Sequence, residues 1–272
     1  MTSTPPARDS EFLTTLERGL SVLRAFSRER PEMTLSEVAA HTALSPAVAR
    51  RCLHTLQELG YVVKQGKRFL LTAEVMSFAS AFLESMNLEQ VVRPHLQEVR
   101  DETGDSSSLA VFSDPDVLYL LHVSTNRMVR LAAGVGTRFP AHATSLGRIL
   151  VAHLPDARVA AYVKTTPLQR FTEKTIVDRR RLGQILKQAR KNDYATIQDE
   201  LDYGIVSVAV PVRAGSGDVI AAINCSTATS RVDPGEMLDT RLPVLRRAAR
   251  EIEIELQRYP VLVHSILAAA QG

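Results

Sequence analysis

The chain has 272 residues, of which 45% are hydrophobic and 23% charged, with a formal net charge of +3. That length suits two domains, and the composition is typical of a folded globular protein rather than a disordered one. No apolar run reaches the roughly 18–20 residues that a membrane helix needs, and the N-terminus MTSTPPARDSEF lacks the apolar segment of a signal peptide. Cys52 and Cys225 each stand in an apolar pattern, so we expect reduced core cysteines in a cytoplasmic protein with no membrane contact.

The positive charge is concentrated at one end of the chain. Residues 1–71 contain ten Lys/Arg and seven Asp/Glu, a balance of +3, whereas residues 72–272 contain twenty-three of each. An anionic partner is therefore expected at the N-terminal quarter.

The first 71 residues predict a flexible arm over 1–11, then three helices and a hairpin over 12–71. The first helix runs from Phe12 to about Ser27, with an apolar side formed at helical spacing by Leu16, Leu20, Leu23 and Phe26. Thr34 and Glu37 have the spacing of a capping box at the start of a short second helix.

A third helix is predicted from Ser45 to about Leu59. Ser45 suits the N-cap and Pro46 the first helical position, where the missing N–H has no cost. Gly60 ends the helix, and YVV and RFLL are short strands joined by the turn KQGK. The inward side of the helix is predicted to consist of Val48, Cys52, Leu53, Leu56 and Leu59.

The rest of the chain predicts a linker helix over 72–87 and an α+β domain over 88–272 with a largely antiparallel sheet. Another amphipathic helix covers 88–103. Short β-rich runs follow, bounded by Gly, Pro, Asp or Asn: SSLAVFS, VLYLLHVS, MVRLAAGV, IVSVAVPV and VIAAINCS. Helices are predicted over 145–153, 155–163, 178–192 and 234–259. The apolar C-terminus VLVHSILAAAQG suits either packing on a partner or a frayed tail.

These elements follow the order of a winged helix-turn-helix: a helix, a short helix, a tight turn, a longer helix and a two-stranded wing. The third helix of such a domain lies in the major groove of DNA. Arginine can contact guanine edges or clamp phosphate, and basic wing residues suit phosphates. Two such domains related by two-fold symmetry predict a palindromic or pseudo-palindromic site in double-stranded DNA. The alternative is a protein-interaction module with solvated arginines. The candidate DNA-binding residues are Ser45, Ala47, Arg50, Arg51, His54, Lys64, Lys67, Arg68 and Arg18.

The N-terminal part of the chain resembles the N-terminal domain of the IclR family of bacterial transcription regulators. The resemblance lies in the segments LERGLSVLRAF, MTLSEVAAHTALSPAVARRCLHTLQELGYV and FLLTAEV. The C-terminal part resembles the second half of these regulators in the segments FPAHATSLGRILVA, DELDYGIVSVAVPV and VIAAINCS. The resemblance implies a winged helix-turn-helix, a linker helix and a GAF-like effector-binding domain in a homodimer or a tetramer built from dimers. GVGTRFPAHATSLGRIL is similar to the subgroup that regulates protocatechuate and 4-hydroxybenzoate catabolism, which feeds the β-ketoadipate pathway. Phe139 and Leu146 stand where that subgroup has Leu and Met.

A small carboxylate effector can be held at a helix N-terminus, and ATSLGRIL offers one that Thr144 or Ser145 caps. By resemblance to the family, the pocket positions are Met128, Leu131, Phe139, Ser145, Leu146, Ile205, Ser207, Asn224 and Ser226. Strand alternation puts Ile205 with Ser207, and Asn224 with Ser226, on one face each.

The polar candidates in that domain also have structural interpretations. Arg138 and Arg148 are alternative candidates for binding the anionic group of the effector. Arg148 also suits a solvated position on its helix or a structural ion pair. Ser207 and Asn224 are either ligand contacts or satisfied polar groups near the core. Asp199 and Glu200 begin an acidic motif that the sequence alone does not place in the pocket.

The functional hypotheses fall into different classes. The first is a DNA-binding regulator controlled by an acid of aromatic catabolism, with a short oxoacid or another metabolite as the alternative effector. An enzyme is not expected, because the sequence has no G-x-S-x-G, no metal-spaced His/Cys cluster and no phosphate loop. His142 near Thr144 and Ser145 is the only arrangement that suggests a nucleophile and base. We expect no cofactor and no metal.

Overall fold

The computed structural model describes residues 11–27, 29–85, 87–125 and 133–271. The chain divides into two compact units, Met1–Phe82 and Leu83–Gly272. The division falls inside the segment predicted as the linker, which forms a single 3₁₀ turn, Ala73–Val75, followed by helix α4, Met76–Ser85.

The N-terminal unit contains the three predicted helices and the predicted hairpin. The helices are α1 (Thr14–Ala25), α2 (Leu35–Thr42) and α3 (Pro46–Glu58). Strands β2 (Val62–Gln65) and β3 (Arg68–Leu71) form the wing, and β1 (Glu32–Thr34) pairs antiparallel with the other side of β3. The sequence reasoning missed β1, because a three-residue strand shows no readable alternation.

Local capping explains where these helices begin. The predicted capping box is confirmed: Thr34 Oγ1 accepts from the Glu37 amide at 3.3 Å, and the Thr34 amide donates to Glu37 Oε2 at 2.7 Å. At α3, Ser45 Oγ accepts from the Val48 amide at 3.4 Å, as predicted. The core of the unit includes Val22, Met33, Val38, Ala49 and Leu53.

Three predicted apolar positions on these helices lie outside that core. Leu59 follows the last residue of α3 and is 60% exposed, so its predicted inward position was wrong. Leu16 and Leu20 are also exposed, whereas Phe26, on the predicted apolar side of α1, is buried. The periodicity of α1 therefore marks an apolar side that the described residues cover only in part.

The C-terminal unit is built on the predicted antiparallel sheet, with the strands β4 (Ser106–Ser113), β5 (Asp116–Val123), β6 (Arg138–Pro140), β7 (Ala195–Gln198), β8 (Ile205–Arg213) and β9 (Val219–Ala228). Their order in the sheet is β6-β5-β4-β9-β8-β7. The short strands β6 and β7 at its edges were not predicted. Of the predicted run MVRLAAGV, residues 128–132 lie outside the described residues and 133–135 form no strand.

Helices cover the sheet. The helices of this unit are α5 (Leu88–Thr103), α6 (Ser145–Ala152), α7 (Asp156–Thr165), α8 (Arg179–Asn192), α9 (Pro234–Glu236), α10 (Leu242–Leu256) and α11 (Pro260–Gln271). Helix α5 contacts β4 and β5, and α10 contacts β8 and β9, while α6 lies across the central strands. α11 packs on β4 and β9 and buries Leu262 and Ile266, so the apolar C-terminus packs on its own sheet.

The helix predicted over 234–259 is interrupted. A π-helical turn, Met237–Arg241, separates α9 from α10. Pro243 has no N–H to donate to the carbonyl four residues earlier, and its ring clashes with that carbonyl. A wider turn just before the proline removes both problems.

Small residues bring α6 close to the sheet. Ala110, Ala209 and Ala222 of three neighbouring strands belong to the same core cluster as α6 residues Leu146 and Ile149. Every residue of α6 is buried. Among the described residues, none of the helices has the length and apolar character that a membrane crossing requires.

Candidate DNA interface and effector site

The outward side of α3 carries the residues predicted to read DNA. At 100° per residue, the buried side chains Ala49 and Leu53 lie opposite Ala47, Arg51 and His54, all three of which are exposed. Arg50 is exposed beside this face. Among the described residues, no carboxylate lies within ion-pair distance of either arginine, so both guanidinium groups remain available to an anionic ligand.

The wing carries two further cations at its turn. Lys64 and Lys67 are exposed on either side of Gly66, whose φ of 61° closes the turn in a conformation that favours glycine. The ammonium of Lys64 lies 5.7 Å from the ring centre of Phe69. This contact leaves the charged end of Lys64 at the surface of the wing.

Arg68 has a different environment from its neighbours. Its Nε lies 3.3 Å from Glu32 and its guanidinium 3.6 Å from Glu37, so it bridges the wing to β1 and the start of α2. The prediction that it contacts phosphate is weakened by these two carboxylates. Arg18 is exposed on α1 and lies with Arg51 along the same groove between α1 and α3.

The effector-site candidates converge at the N-terminus of α6. Thr144, not Ser145, is the N-cap, and its Oγ1 accepts from the Gly147 amide at 3.0 Å. Ser145 Oγ is thereby available and lies 2.7 Å from Ser207 Oγ of β8. The amides of Ser145 and Leu146 belong to the first turn, where no carbonyl of the helix can satisfy them.

Ser145 and Ser207 begin a line of hydrogen-bonded polar side chains, here called the polar row, that continues across the sheet from Ser207. Asn224 Nδ2 of β9 donates to Ser207 Oγ at 3.2 Å, while Asn224 Oδ1 is buried and has no hydrogen-bond partner among the described residues. The strand register places Ser226 directly opposite Ser207, and Ile205 two residues away on the same face. The predicted residues Ser145, Ser207 and Asn224 are thus joined directly, with Ser226 and Ile205 beside them.

Sequence reasoning missed two residues that extend this row. Ser108 of β4 lies opposite Asn224 in the ladder, and its Oγ is 2.9 Å from Nδ1 of His122 on β5. Burial, with the nearby positive charge of Arg93, lowers the pKa of His122 below its usual 6.5 and favours the neutral imidazole. The alternation of SSSLAVFS could have indicated that a serine of this strand faces the site.

The apolar candidates lie beside or beneath this row. Leu146 is fully buried in the cluster between α6 and the sheet. Phe139 packs against the same cluster and makes an edge contact with Tyr119, with ring centres 5.3 Å apart. Met128 and Leu131 lie outside the described residues.

Arg138 is not brought to the polar row. It pairs with Leu118 in the β5–β6 ladder, whereas its neighbour Phe139 pairs with Val117, so their side chains point to opposite faces. The Arg138 guanidinium donates to the carbonyl of Ser113 at 2.6 Å and pairs with Asp116 at 3.3 Å. The structure therefore does not support an effector-binding role for Arg138.

Arg148 forms a structural ion pair, one of the two non-ligand interpretations. Its guanidinium is buried and bonds both carboxylate oxygens of Glu200, one of them at 2.7 Å. It also donates to the carbonyls of His142 and Thr196. Asp199 accepts from Lys174 and the Gly204 amide. Both acidic residues therefore stabilise the turn before β8.

The one arrangement that suggested an enzyme is not assembled. His142 Nε2 bonds the carbonyl of Gln169 at 3.0 Å, and Ser145 Oγ bonds Ser207 rather than an imidazole. Burial lowers the pKa of His142. A Ser–His pair of the acyl-transfer type needs a hydrogen bond between hydroxyl and imidazole, and among the described residues this histidine makes none to Thr144 or Ser145.

Gly147 has a role that spacing alone does not reveal. A Cβ at this position would lie 2.2 Å from both Cα and the carbonyl oxygen of Ala141. Any side chain would therefore push α6 away from the 3₁₀ turn Ala141–Ala143 that precedes it. The close approach fixes the position of Ser145 relative to the sheet.

The N-terminal unit is a winged helix-turn-helix with exposed arginines on α3, and the C-terminal unit has a buried polar row beside the N-terminus of α6. These features define the class of DNA-binding regulators with an effector domain. Residues 15–66 match the IclR helix-turn-helix domain, and residues 80–254 match the domain described as bacterial transcriptional regulator IclR C-terminal. The chain belongs to the IclR family of transcription regulators, and its C-terminal unit is the GAF-like domain of that family. It is a regulator and not an enzyme.

Individual relatives cover nearly the whole chain. The chain is 34% identical over 245 residues to the Pca regulon regulatory protein of Pseudomonas putida, covering 90% of this chain and 84% of the relative. It is 33% identical over 255 residues to the p-hydroxybenzoate hydroxylase transcriptional activator of Acinetobacter baylyi, covering 92% and 94%. A crystal structure of an IclR homologue from Microbacterium hydrocarbonoxydans, complexed with 4-hydroxybenzoate, is 26% identical with a TM-score of 0.73, covering 90% of this chain and all of that one.

Proposed function

We propose that this protein is a dimeric transcription regulator whose affinity for a two-fold operator is set by a hydroxylated aromatic carboxylate. It acts in the cytoplasm on genes of aromatic-acid catabolism. The observation that carries the ligand class is the buried, unpaired Asn224 Oδ1 beside Ser207 and the first turn of α6.

The two ends of the polar row call for different ligand groups. The amides of Ser145 and Leu146, together with the Ser145 hydroxyl, suit a carboxylate. Asn224 Oδ1 is an acceptor, so it needs a donor such as a ligand hydroxyl. Ser108 and His122 offer a further place for a second hydroxyl. A hydroxybenzoate satisfies both requirements on one rigid ring.

The same chemistry separates this effector class from the short oxoacids. A keto oxygen only accepts hydrogen bonds, so an oxoacid leaves Asn224 Oδ1 unpaired. A site built to bond a hydroxyl rejects an analogue that lacks it, because the buried polar group then has no partner. The names of the two relatives and the 4-hydroxybenzoate complex support the same class.

An apolar groove in the N-terminal unit supports a dimer. The groove, of about 540 Å³, lies between α1 and α3 and is lined by Leu13, Leu16, Leu20, Leu59 and Phe78 among others. Four of these, Leu13, Leu16, Leu59 and Phe78, are each more than half exposed. An apolar surface of this kind on a soluble unit marks an interaction site. A second copy of the chain seated there would pair two α3 helices for a two-fold site.

Calorimetric titration of the full chain tests the ligand class. We expect 4-hydroxybenzoate and protocatechuate to bind with one site per chain, benzoate to bind at least about 10-fold more weakly, and pyruvate and other keto acids without a hydroxyl not to bind. Binding of the oxoacids alone would reject the aromatic proposal. Equal binding of benzoate and 4-hydroxybenzoate would reject the role given to Asn224.

In vitro selection from random DNA tests the operator proposal. We expect a two-fold sequence to be enriched by wild type and lost with Arg50→Ala plus Arg51→Ala. The matched control is Arg180→Ala plus Arg181→Ala, another exposed arginine pair on a helix, in α8. Equal loss of DNA binding in both double variants, or no enrichment by wild type, would reject this interface.

A further inference from the structure

His95 of α5 is surrounded by carboxylates from two helices. Its Nδ1 lies 3.4 Å from Glu251 and 3.9 Å from Glu98, and its Nε2 lies 3.3 Å from Glu255. Both ring nitrogens are buried, yet neither makes a hydrogen bond to a described residue. A cation held between the ring and the carboxylates would satisfy these buried groups.

We propose that His95, Glu98 and Glu251 bind a divalent transition-metal ion of the zinc class, with Glu255 orienting the imidazole. The site bridges α5 and α10 of the C-terminal unit and includes none of the residues of the polar row. No function considered above uses these residues.

The distances between the ligand atoms fit such an ion. Metal–ligand bonds of about 2.0–2.2 Å in a tetrahedral site place the ligand atoms about 3.3–3.6 Å apart. The imidazole nitrogen and the Glu251 oxygen are already 3.4 Å apart, and the three ligand atoms all lie within 4.8 Å of one another. The Glu98 side chain is 66% exposed, so it can move the remaining distance without repacking the core.

The charge of the cluster also favours a cation. Within the part of the chain that the structure describes, no Lys or Arg side chain lies within 4.0 Å of Glu98, Glu251 or Glu255. Other acidic residues of these helices are paired: Glu89 with Arg93, and Glu102 with Arg247. Three carboxylates that converge on one imidazole repel one another, and a divalent ion offsets that repulsion.

Glu255 has the position of an outer partner. A histidine that ligates a metal through one nitrogen usually donates the N–H of the other to a carboxylate, which fixes the ring and its tautomer. Glu255 is placed to accept from Nε2 while Nδ1 faces the other two carboxylates. A nitrogen ligand beside two carboxylates suits zinc or cobalt better than magnesium or calcium, which prefer oxygen ligands alone.

Sequence reasoning did not indicate this site and predicted no metal. His95 and Glu98 have the i, i+3 spacing that places them on one side of α5, but Glu251 and Glu255 come from α10, far along the chain. Only the packing of α5 against α10 brings the four residues together.

Cobalt titration of the full, tag-free chain after removal of bound metal tests the proposal. We expect one Co²⁺ per chain with visible d–d absorption, displaced by one equivalent of Zn²⁺. His95→Gln should weaken binding by at least about 100-fold, and Glu255→Gln by about 10-fold, as measured for outer-shell partners. Glu98→Gln, at an exposed position, should also weaken binding while the fold is retained.

Glu102→Gln is the matched control, since it removes a carboxylate between the same two helices but outside the cluster. It should bind cobalt as wild type does. Absence of binding by wild type, wild-type binding by both His95→Gln and Glu98→Gln, or binding of Mg²⁺ in preference to Zn²⁺ would overturn the proposal.

Discussion

Ser145 of α6 and Ser207 of β8 share a hydrogen bond of 2.7 Å between their hydroxyl oxygens, deep inside the C-terminal unit. Asn224 donates to the same Ser207 oxygen, so this hydroxyl is the centre of the row that we propose as the effector site. Ser207→Ala leaves the Asn224 amide without its partner. A buried polar group left unpaired costs about 1–3 kcal/mol.

We therefore expect Ser207→Ala to weaken binding of 4-hydroxybenzoate by about 10-fold. Calorimetric titration of the variant against wild type measures the change. Ser216→Ala, in an exposed turn of the same unit, is the control and should bind as wild type does. Unchanged affinity in Ser207→Ala would remove this hydroxyl from the site.

Gly147→Ala should destabilise the C-terminal unit by about 2 kcal/mol or more, because the new methyl group meets the backbone of Ala141 at 2.2 Å. Gly183→Ala in α8 provides the control, since a Cβ added there would meet no atom within 4 Å. Replacing a helical glycine where space exists should instead stabilise the fold by about 0.5–1 kcal/mol. Scanning calorimetry of both variants measures whether the two changes in stability have opposite signs. Equal effects would mean that the close approach of α6 does not matter.

Arg148→Met should be strongly destabilising, by about 3–5 kcal/mol, because it leaves the Glu200 carboxylate buried without its partner. The double variant Arg148→Met, Glu200→Leu removes both charges and should recover much of that loss. A thermodynamic cycle over the two single variants and the double variant measures the coupling. Additive effects would contradict a direct ion pair.

The stability of the C-terminal unit should fall as the pH is lowered below about 6.5. Burial lowers the pKa of His142 from 6.5 in the folded chain, so the unfolded chain takes up the proton first. The stabilisation from the neutral ring is present above pH 6.5 and is lost as the pH falls through 6.5 towards the folded pKa. Melting temperatures measured from pH 7.5 to 5 should therefore decrease less in His142→Gln than in wild type. A parallel decrease in both would contradict this assignment, and His54→Gln, at an exposed position, is the control.

The fold was largely predictable because its helices carry local signals. Thr34, Glu37, Ser45 and Pro46 mark two helix starts by chemistry that acts over three residues, and all four behave as predicted. The short edge strands β6 and β7 were missed because each has only three or four residues. The exposure of Leu16 and Leu20 was also missed, because helical periodicity identifies an apolar side but not what covers it.

The polar row was only partly predictable. Ser145, Ser207 and Asn224 were indicated by resemblance to a family, whereas Ser108 and His122 depend on the register of three strands. The placement of the Arg138 side chain could not be read from the sequence. Its place beside Phe139 suggested a ligand, but strand alternation turns its side chain to the other face.

Control by an aromatic acid is best tested by the effect of 4-hydroxybenzoate on DNA binding by the full chain. The DNA site obtained by in vitro selection is titrated with protein at fixed salt, with and without saturating ligand. Linkage requires that an effector which distinguishes two states change the DNA affinity, and couplings of this kind are typically about 5–150-fold. We predict a change of at least about 5-fold in wild type that disappears in Ser207→Ala. An identical DNA affinity with and without bound 4-hydroxybenzoate would contradict the proposal that this acid controls the regulator.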